Sequence, residues 1–354
     1  MERSVAKSSG RTYRSGWKVW VSFAHSCDID PYLRFVPPSW KAADHLLAFE
    51  SSVVVAFCAY AYVQCGLSPA TINSYLAGVS FVLRLSNINT DFLSSPAVSM
   101  AKTGLRHIYE ASLVREPHTL PFTLEMILRY IAGVNLDHLS SHGMATTLLL
   151  AHYNFLRISE YVVSDVNHFM RSQDVSFITY DGRVFPAREA GKVKLADIER
   201  VSFFIRSSKT DQEKAGCNNH FKKRNSGTCI CSAAYSWALR ANFPSGDAPF
   251  LSAYSPTGRL LWCVNAKHVS VTLKSVAASY GFTNLGNFTP HSLRYGAASA
   301  LAAAGIDEYT IKLLGRWRSN AFMQYIKLSS LMLDSACAAL SNPLAMSAVD
   351  VAFL

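Results

Sequence analysis

The most informative stretch of this sequence begins with an imidazole and a guanidinium three residues apart. His291 and Arg294 follow Thr289 and Pro290, residue types that favour the start of a helix. On a helix, this spacing puts both side chains on one face of the first turn, where free N–H groups and the helix dipole favour an anion. An imidazole can transfer a proton near neutral pH, and a guanidinium can bind two phosphate oxygens. The pattern therefore predicts chemistry on a phosphate group.

Three short helices are predicted to hold these groups. Leucines and alanines at helical spacing follow Arg294, and Gly305 ends the first helix. A second helix is predicted over 307–314, followed by a turn over 315–317. A third is predicted to begin near residue 319 and to carry Tyr325, whose phenol could act as a nucleophile.

The ordered set His291-x-x-Arg294, Gly315-Arg316-Trp317 and Tyr325 resembles the C-terminal box of the tyrosine recombinases, the phage-integrase family. The family pattern is HxxR, then Gly followed by His or Trp, then a nucleophilic Tyr about nine residues on. HxxR alone is a weak signal, whereas the whole set in this order is specific. The resemblance extends over about residues 13–340.

Two further active-site residues follow from the resemblance. Arg157 interrupts a long apolar helix predicted over 144–163, and an arginine there is costly to bury unless it is paired or binds an anion. One interpretation is an ion pair with Glu160 three residues on. The resemblance instead implies that Arg157 is the family's first active-site arginine and Glu160 its supporting acid. It also places the catalytic lysine at Lys209, which would otherwise be read as an exposed hairpin residue.

The resemblance implies that catalysis falls on Arg157, Lys209, His291, Arg294, Trp317 and Tyr325. Tyr325 would be the nucleophile, with both arginines on the phosphate oxygens. His291 would move a proton and Lys209 would protonate the leaving 5′-oxygen, whereas Trp317 can only donate a hydrogen bond. No metal, nucleotide or other cofactor is expected, because the bond energy is held in the phosphotyrosine.

Composition agrees with a polyanionic partner. The 354 residues predict about two domains, and the net charge is +10. A merely basic soluble protein is the competing interpretation. The eight cysteines mostly have apolar neighbours, which favours a reducing compartment over disulfides, and no secretory leader is expected. The apolar runs 53–63 and 144–156 are shorter than the roughly 20 residues of a bilayer span, so no membrane segment is expected.

The predicted fold class is mainly α with a small β-sheet. We expect a disordered basic tail over 1–12, a helical domain over 13–112, a linker over 113–121 and a second domain over 122–354. A β-hairpin is predicted around Asp181-Gly182, and another strand over 201–205. By resemblance, the first domain is a core-binding (SAM-like) module that clamps DNA, and the second is an α+β tyrosine-recombinase catalytic domain with a C-terminal tail helix.

Several basic side chains are candidates for backbone-phosphate contacts, with a solvated surface as the alternative: Lys102, Arg106, Arg206, Lys222, Lys223 and Arg224. Four nearby residues could in principle bind zinc: Cys217, His220, Cys229 and Cys231. Their spacing fits no standard zinc motif, so structural thiols are expected and no metal.

The resemblance predicts a site-specific recombinase or integrase of a mobile element, with the crypton and DIRS-like types as candidates. It is expected to act on double-stranded DNA as a homo-oligomer, a tetramer on two sites. The helix after Tyr325 is expected to dock on a neighbouring protomer, with packing in cis as the alternative. A type IB topoisomerase-like activity and an inactive DNA-binding relative are the competing functions. The protein is expected in the nucleus of a eukaryote or the cytoplasm of a prokaryote, and not to be secreted.

Overall fold

The computed structural model describes residues 7–34, 43–112, 119–164, 168–206, 215–317 and 323. The chain forms two compact units, Met1–Glu116 and Pro117–Leu354. Residues 119–121 of the predicted linker belong with the second unit, since the Leu120 N–H donates to the carbonyl of Asn287 at 3.0 Å.

The first unit is helical, as predicted. Its helices are α1 (Lys7–Ser26), α2 (Ala43–Val63), α3 (Pro69–Leu85) and α4 (Pro96–Ser112). Ser68 caps α3, because its hydroxyl accepts the Thr71 N–H at 3.3 Å. The apolar face of α3 is buried, with Trp20 and Phe57 in the same core.

Helix α1 begins earlier than the sequence suggested. Residues 7–12 were expected in a disordered tail, yet they are helical. The reason is close packing on α3: an added Cβ on Gly16 or on Gly78 would lie 2.7 Å from a backbone atom of the opposite helix. Two glycines therefore let the helices touch, and this contact outweighs the polar composition of the first residues.

The apolar segment of helix α2 is longer than the run 53–63 on which the expectation of no membrane segment was based. The segment His45–Val63 is long and apolar enough to cross a membrane by length and composition. Core helices pass the same test. Val54, Phe57 and Ala61 of this segment are fully buried in the first unit, so we assign α2 to its core.

The second unit combines helices with two small sheets. Its helices are α5 (Leu124–Gly133), α6 (Leu139–Tyr153), α7 (Ile158–Tyr161), α8 (Ile230–Ala241), α9 (Ala266–Ser279), α10 (His291–Ala303) and α11 (Glu308–Leu314). Its strands are β1 (Val175–Thr179), β2 (Val184–Pro186), β3 (Ile198–Ile205), β4 (Cys217–Lys222), β5 (Ser252–Tyr254) and β6 (Leu260–Cys263).

The larger sheet is antiparallel with strand order β2-β1-β3-β4, and β5 pairs with β6. The predicted hairpin is present, with Gly182 at a φ of +83° in its turn. Strand β4 was not predicted. This strand lies at the edge of the sheet and carries mostly polar residues. It pairs with β3, with Val201 opposite Phe221, and this pairing rather than a local hydrophobic pattern makes it a strand.

Helix α6 is the central core helix of this unit, and it packs against α8 and α10. The single helix predicted over 144–163 is wrong: α6 ends at Tyr153, Phe155 takes a φ of +51°, and α7 starts at Ile158. Burial lowers the pKa of His152 to about 4, while a hydrogen bond with the Leu293 backbone opposes this shift and links α6 to α10.

Helix α10 lies directly on the backbone at the entry to α5. Gly296 makes this possible, because a Cβ there would lie 1.9 Å from the carbonyl oxygen of Phe122. The Phe122 N–H donates to the Ser292 carbonyl at 2.8 Å, so the two segments are held in this register.

We expect Gly296→Ala to lower the free energy of unfolding by roughly 3 kcal/mol, because a backbone atom, unlike a flexible side chain, cannot move away from the new methyl group. Urea unfolding measures the effect. Gly104→Ala in α4 is the matched control, since nothing lies within 4 Å of its added Cβ. The control should be neutral or slightly stabilising. Equal stability of the Gly296→Ala and wild-type proteins would contradict the close approach.

Candidate active site

The first turn of α10 carries the HxxR pair. The helix starts one residue later than predicted, with Pro290 as its cap, and the Thr289 N–H donates to the Ser292 hydroxyl at 3.0 Å. His291 is half-buried and Arg294 has no exposed surface. Both side chains therefore lie within the second unit.

The guanidinium of Arg294 is held by the turn after α11. It donates a hydrogen bond to the carbonyl of Gly315, and its Cζ lies 4.3 Å from the ring centroid of Trp317. The same ring packs edge-on against Phe155 at 5.9 Å. Gly315 is required here, because a Cβ would lie 1.5 Å from the Trp317 ring. The structure thus brings Arg294 and Trp317 together.

The carboxylate of Glu160 joins two arginines. Its side chain is 1% exposed, and Oε1 lies 3.1 Å from Nη1 of Arg157. Oε2 accepts the Arg157 N–H at 2.9 Å and lies 2.6 Å from Nη2 of Arg316. A buried charge is tolerated when it is paired in this way. Both interpretations of Arg157 are thus compatible with the structure: it pairs with Glu160, and its side chain remains 19% exposed.

No role was predicted for Arg316 from the sequence, yet its side chain has several contacts in this site. Its guanidinium also donates to the carbonyls of Asn154 at 2.8 Å and Phe155 at 3.4 Å. Its φ is +57°, a left-handed conformation that costs a non-glycine residue about 1 kcal/mol. One feature of the sequence could have pointed to this residue: a basic residue stands directly after Gly315, where the family pattern has His or Trp.

The pKa of the His291 imidazole depends on Arg157 and Arg294, the two arginines that were predicted to be catalytic. Burial, together with the charges of Arg294 and Arg157, lowers the pKa of His291 to about 4. Arg157 and Arg294 come from different elements, and the positive charges of both act on the pKa of this imidazole. His291 is therefore neutral at pH 7 and able to accept a proton. The ring of Tyr295 lies 5.9 Å from the His291 ring, a neighbour that was not expected in the site.

This shift sets an expected pH dependence for any reaction that uses neutral His291. An imidazole with an ordinary pKa of about 6.5 would be mostly protonated at about pH 5.5, whereas His291 stays neutral. We expect kcat/KM for DNA cleavage, which reports on the free enzyme, to show no loss from His291 between about pH 7.5 and 5.5. DNA binding at each pH is the control. An inflection near pH 6.5 that disappears in His291→Asn would contradict the lowered pKa.

The same shift affects stability in a defined direction. The unfolded chain binds a proton at His291 more readily than the folded chain does. Its contribution to folding is therefore fully present above about pH 6.5 and is lost as the pH falls toward 4.

Two predicted catalytic residues lie outside the described part of the chain. Lys209 belongs to the segment 207–214 that connects the paired strands β3 and β4. Tyr325 belongs to 324–354. Their roles, and the docking of the tail helix, stay predictions.

The basic residues predicted to contact DNA have different surroundings. Arg206 forms an ion pair with the buried Asp174 at 2.6 Å, and Lys223 donates to two backbone carbonyls. Both side chains thus have structural contacts besides any DNA contact. Lys222 and Arg224 are exposed.

The two residues of the first unit that were predicted to contact DNA differ in their exposure. Lys102 is half-buried, and its Nζ lies 3.5 Å from the carbonyl of Leu93. Arg106, on the same helix, is exposed.

The cysteines near β4 behave as structural thiols. Cys229 and Cys231 are buried at the start of α8, and the Sγ of Cys229 accepts the Arg224 N–H at 3.2 Å. Among the described residues, no three His, Cys, Asp or Glu side chains lie close enough together to hold a metal ion. That catalysis needs no metal stays a prediction.

This chain is similar to known proteins in its three-dimensional structure and not in its sequence. No protein-family model matches the sequence, and no curated protein matches it significantly. A dimer of lambda integrase bound to a COC′ core site has a TM-score of 0.50 and 13% identity, over 92% of this chain and 90% of that one.

Two further solved structures are similar over most of the chain. The Tn1549 transposon integrase in complex with circular intermediate DNA has a TM-score of 0.46 and 16% identity, over 92% of this chain and 99% of that one. XerH site-specific recombinase bound to palindromic difH substrate has a TM-score of 0.49 and 14% identity, over 86% and 80%.

The helical first unit, the small antiparallel sheet and the helices around α10 were expected from the sequence, and the likeness to lambda integrase agrees with them. At this low identity, the likeness establishes the fold and not the activity. The chain has the tyrosine-recombinase fold.

Proposed function

We propose that this protein is a tyrosine site-specific recombinase that cleaves and rejoins DNA through a covalent 3′-phosphotyrosyl intermediate, without metal or ATP. The observation that carries the proposal is that the turn over 315–317 contacts Arg294 on one side and, through Glu160, Arg157 on the other. The pKa of His291, on the same helix as Arg294, is lowered, so its imidazole is neutral at pH 7. Two guanidinium groups beside a proton acceptor suit an attack on a phosphodiester.

The cleavage step assigns one task to each residue. The phenol oxygen of Tyr325 forms a bond to phosphorus, and the bond from phosphorus to the 5′-oxygen breaks. His291 takes the phenol proton, and Lys209 gives a proton to the leaving 5′-oxygen. Arg157 and Arg294 stabilise the negative charge on the non-bridging oxygens. Rejoining is the same step in reverse, with a 5′-hydroxyl of another strand as the attacking group.

The surroundings of Arg294 add a condition to this mechanism. Its guanidinium has no exposed surface and lies under the ring of Trp317. Contact with a phosphate therefore requires this guanidinium to become accessible. In the cleaving complex, we assign the indole N–H of Trp317 to donate to the same phosphate.

Double-stranded DNA is the proposed partner. The net charge of +10 favours a polyanion, and lambda integrase of the same fold was solved as a dimer on a DNA core site. We further propose that strand exchange needs four protomers on two sites, because each exchanged strand requires its own nucleophile.

The decisive experiment is capture of covalently bound DNA. The full chain is incubated, with chelator and without nucleotide, with a library of nicked duplexes of random core sequence. A nick next to the cleavage point releases a short fragment, so rejoining fails and the adduct accumulates. DNA that stays attached in SDS is sequenced, and the selected duplex serves all later assays.

Three outcomes separate the competing functions. SDS-stable adducts, together with joining of two labelled duplexes that carry the selected site, support a recombinase. Adducts with relaxation of supercoiled plasmid but no joining indicate topoisomerase-like activity. Binding without any adduct indicates an inactive DNA-binding relative, and the proposal then fails.

A further inference from the structure

The guanidinium of Arg316 connects two segments that the proposed reaction needs. It lies in the turn that follows α11, directly before Trp317, and it reaches the segment between α6 and α7 that ends in Arg157. Its Nη2 lies 2.6 Å from the Glu160 carboxylate, which in turn pairs with Arg157 at 3.1 Å. The three side chains form a continuous chain of contacts.

The contacts of Arg316 fit the end of a helix. The carbonyls of Asn154 and Phe155 lie where α6 stops, and a helix end exposes carbonyls and the negative end of its dipole. A guanidinium can donate to these carbonyls and to a carboxylate at once, because its donors are fixed in one plane. A lysine ammonium has no such fork.

The backbone supports the same conclusion. Arg316 and Phe155 both have positive φ, +57° and +51°, although neither is glycine. Such conformations persist when surrounding contacts hold them. Two strained residues that touch through one guanidinium indicate a built contact between the segments.

We propose that Arg316 is a positioning residue that acts through Glu160 to hold Arg157 in place for the phosphate. We assign it positioning rather than phosphate binding, because its guanidinium already contacts the Glu160 carboxylate and the carbonyls at the end of α6. This inference rests on the proposed function, in which Arg157 stabilises the reacting phosphate.

Three variants test the proposal on the selected duplex. Arg316→Met removes the charge and the donors but keeps the length of the side chain, and Arg316→Lys keeps the charge without the fork. Arg240→Met is the matched control, because Arg240 likewise donates to two backbone carbonyls, those of Leu136 and Asp137. Single-turnover cleavage at saturating protein, DNA affinity and melting temperature are measured for each.

We expect Arg316→Met to slow cleavage about 100-fold, because a misplaced catalytic group loses about this much. Its DNA affinity should stay within about threefold of wild type. Arg316→Lys should recover little of the rate. Arg240→Met should lower the melting temperature and leave the cleavage rate within about threefold of wild type. Equal rate losses for Arg316→Met and Arg240→Met would overturn the proposal, since both would then act only through stability.

The Arg157→Ala background separates positioning from direct contact. If Arg316 acts through Arg157, adding Arg316→Met to Arg157→Ala should cost less than about threefold. A further loss of about 100-fold in that background would show an independent contact with DNA and overturn the inference.

Hydrogen exchange gives a readout that does not need activity. Arg316→Met should raise the exchange of backbone amides over residues 154–162, while Arg240→Met should not. A wild-type protein that forms no adduct would defeat the proposed function, and this exchange would still decide the inference. Unchanged protection over 154–162 would overturn it.

Discussion

Tyr325→Phe should abolish the covalent adduct while folding and DNA binding persist. The substitution removes one oxygen and little volume, so the only group lost is the nucleophile. On the selected nicked duplex, the wild-type protein should accumulate an SDS-stable 3′-phosphotyrosyl adduct and the variant none. DNA affinity should stay within about threefold, because one phenol oxygen adds little to a contact dominated by phosphates. Gel mobility in SDS and peptide mapping by mass spectrometry measure the result.

Tyr295 makes this prediction sharper than the sequence alone could. Its ring lies 5.9 Å from His291, so a second phenol is next to the proposed proton acceptor. Tyr295→Phe is therefore the matched control, and it should retain the adduct. Tyr309, 70% exposed on α11, is a further control. An adduct that persists in Tyr325→Phe, or that maps to Tyr295, would overturn the assignment of the nucleophile.

Arg294→Ala should lower the single-turnover cleavage rate on the order of 1,000-fold, the size of effect seen when a preorganised charge donor is removed. Arg294 contacts the turn after α11 twice, through the Gly315 carbonyl and the Trp317 ring, and its charge helps to keep His291 neutral. The variant should therefore also raise the pKa of His291, which is measured as a shift in its NMR titration.

Arg294→Lys distinguishes charge from geometry. A lysine keeps one positive charge but offers neither the planar surface for Trp317 nor the fork for two oxygens, so we expect a loss nearly as large as in Arg294→Ala. Both variants are compared with wild type for DNA affinity and melting temperature. Cleavage within tenfold of wild type in Arg294→Ala, with the chain folded, would show that this buried guanidinium does not stabilise the reacting phosphate.

Local signals in the sequence were sufficient for many elements of the fold. Ser68, Thr123 and Asp307 each cap a helix through a side-chain oxygen that accepts a backbone N–H, and Gly182 lies in the predicted hairpin turn. These features depend on hydrogen bonds and backbone conformations within about four residues. Such short-range physics can be read without knowing the partner elements.

Elements that depend on distant partners were missed or misplaced. Strand β4 carries mostly polar residues and pairs with β3 along its whole length. The helix predicted over 144–163 breaks at 154–157, and there the guanidinium of Arg316 binds two backbone carbonyls. In both cases a tertiary contact outweighs local propensity.

The candidate site shows the same division. The ion pair of Arg157 and Glu160 was readable as an i,i+3 pair, and the physical cost of burying a charge already required some partner. The second partner of Glu160 could not be read, because Arg316 lies 156 positions away. Sequence spacing predicted which groups are candidates for the reaction. The arrangement of these groups around Glu160 and under Trp317 follows from the packing of the turn after α11 against the end of α6. The tertiary structure decides this arrangement, because a buried charge pairs with whichever donors the fold brings within hydrogen-bond distance.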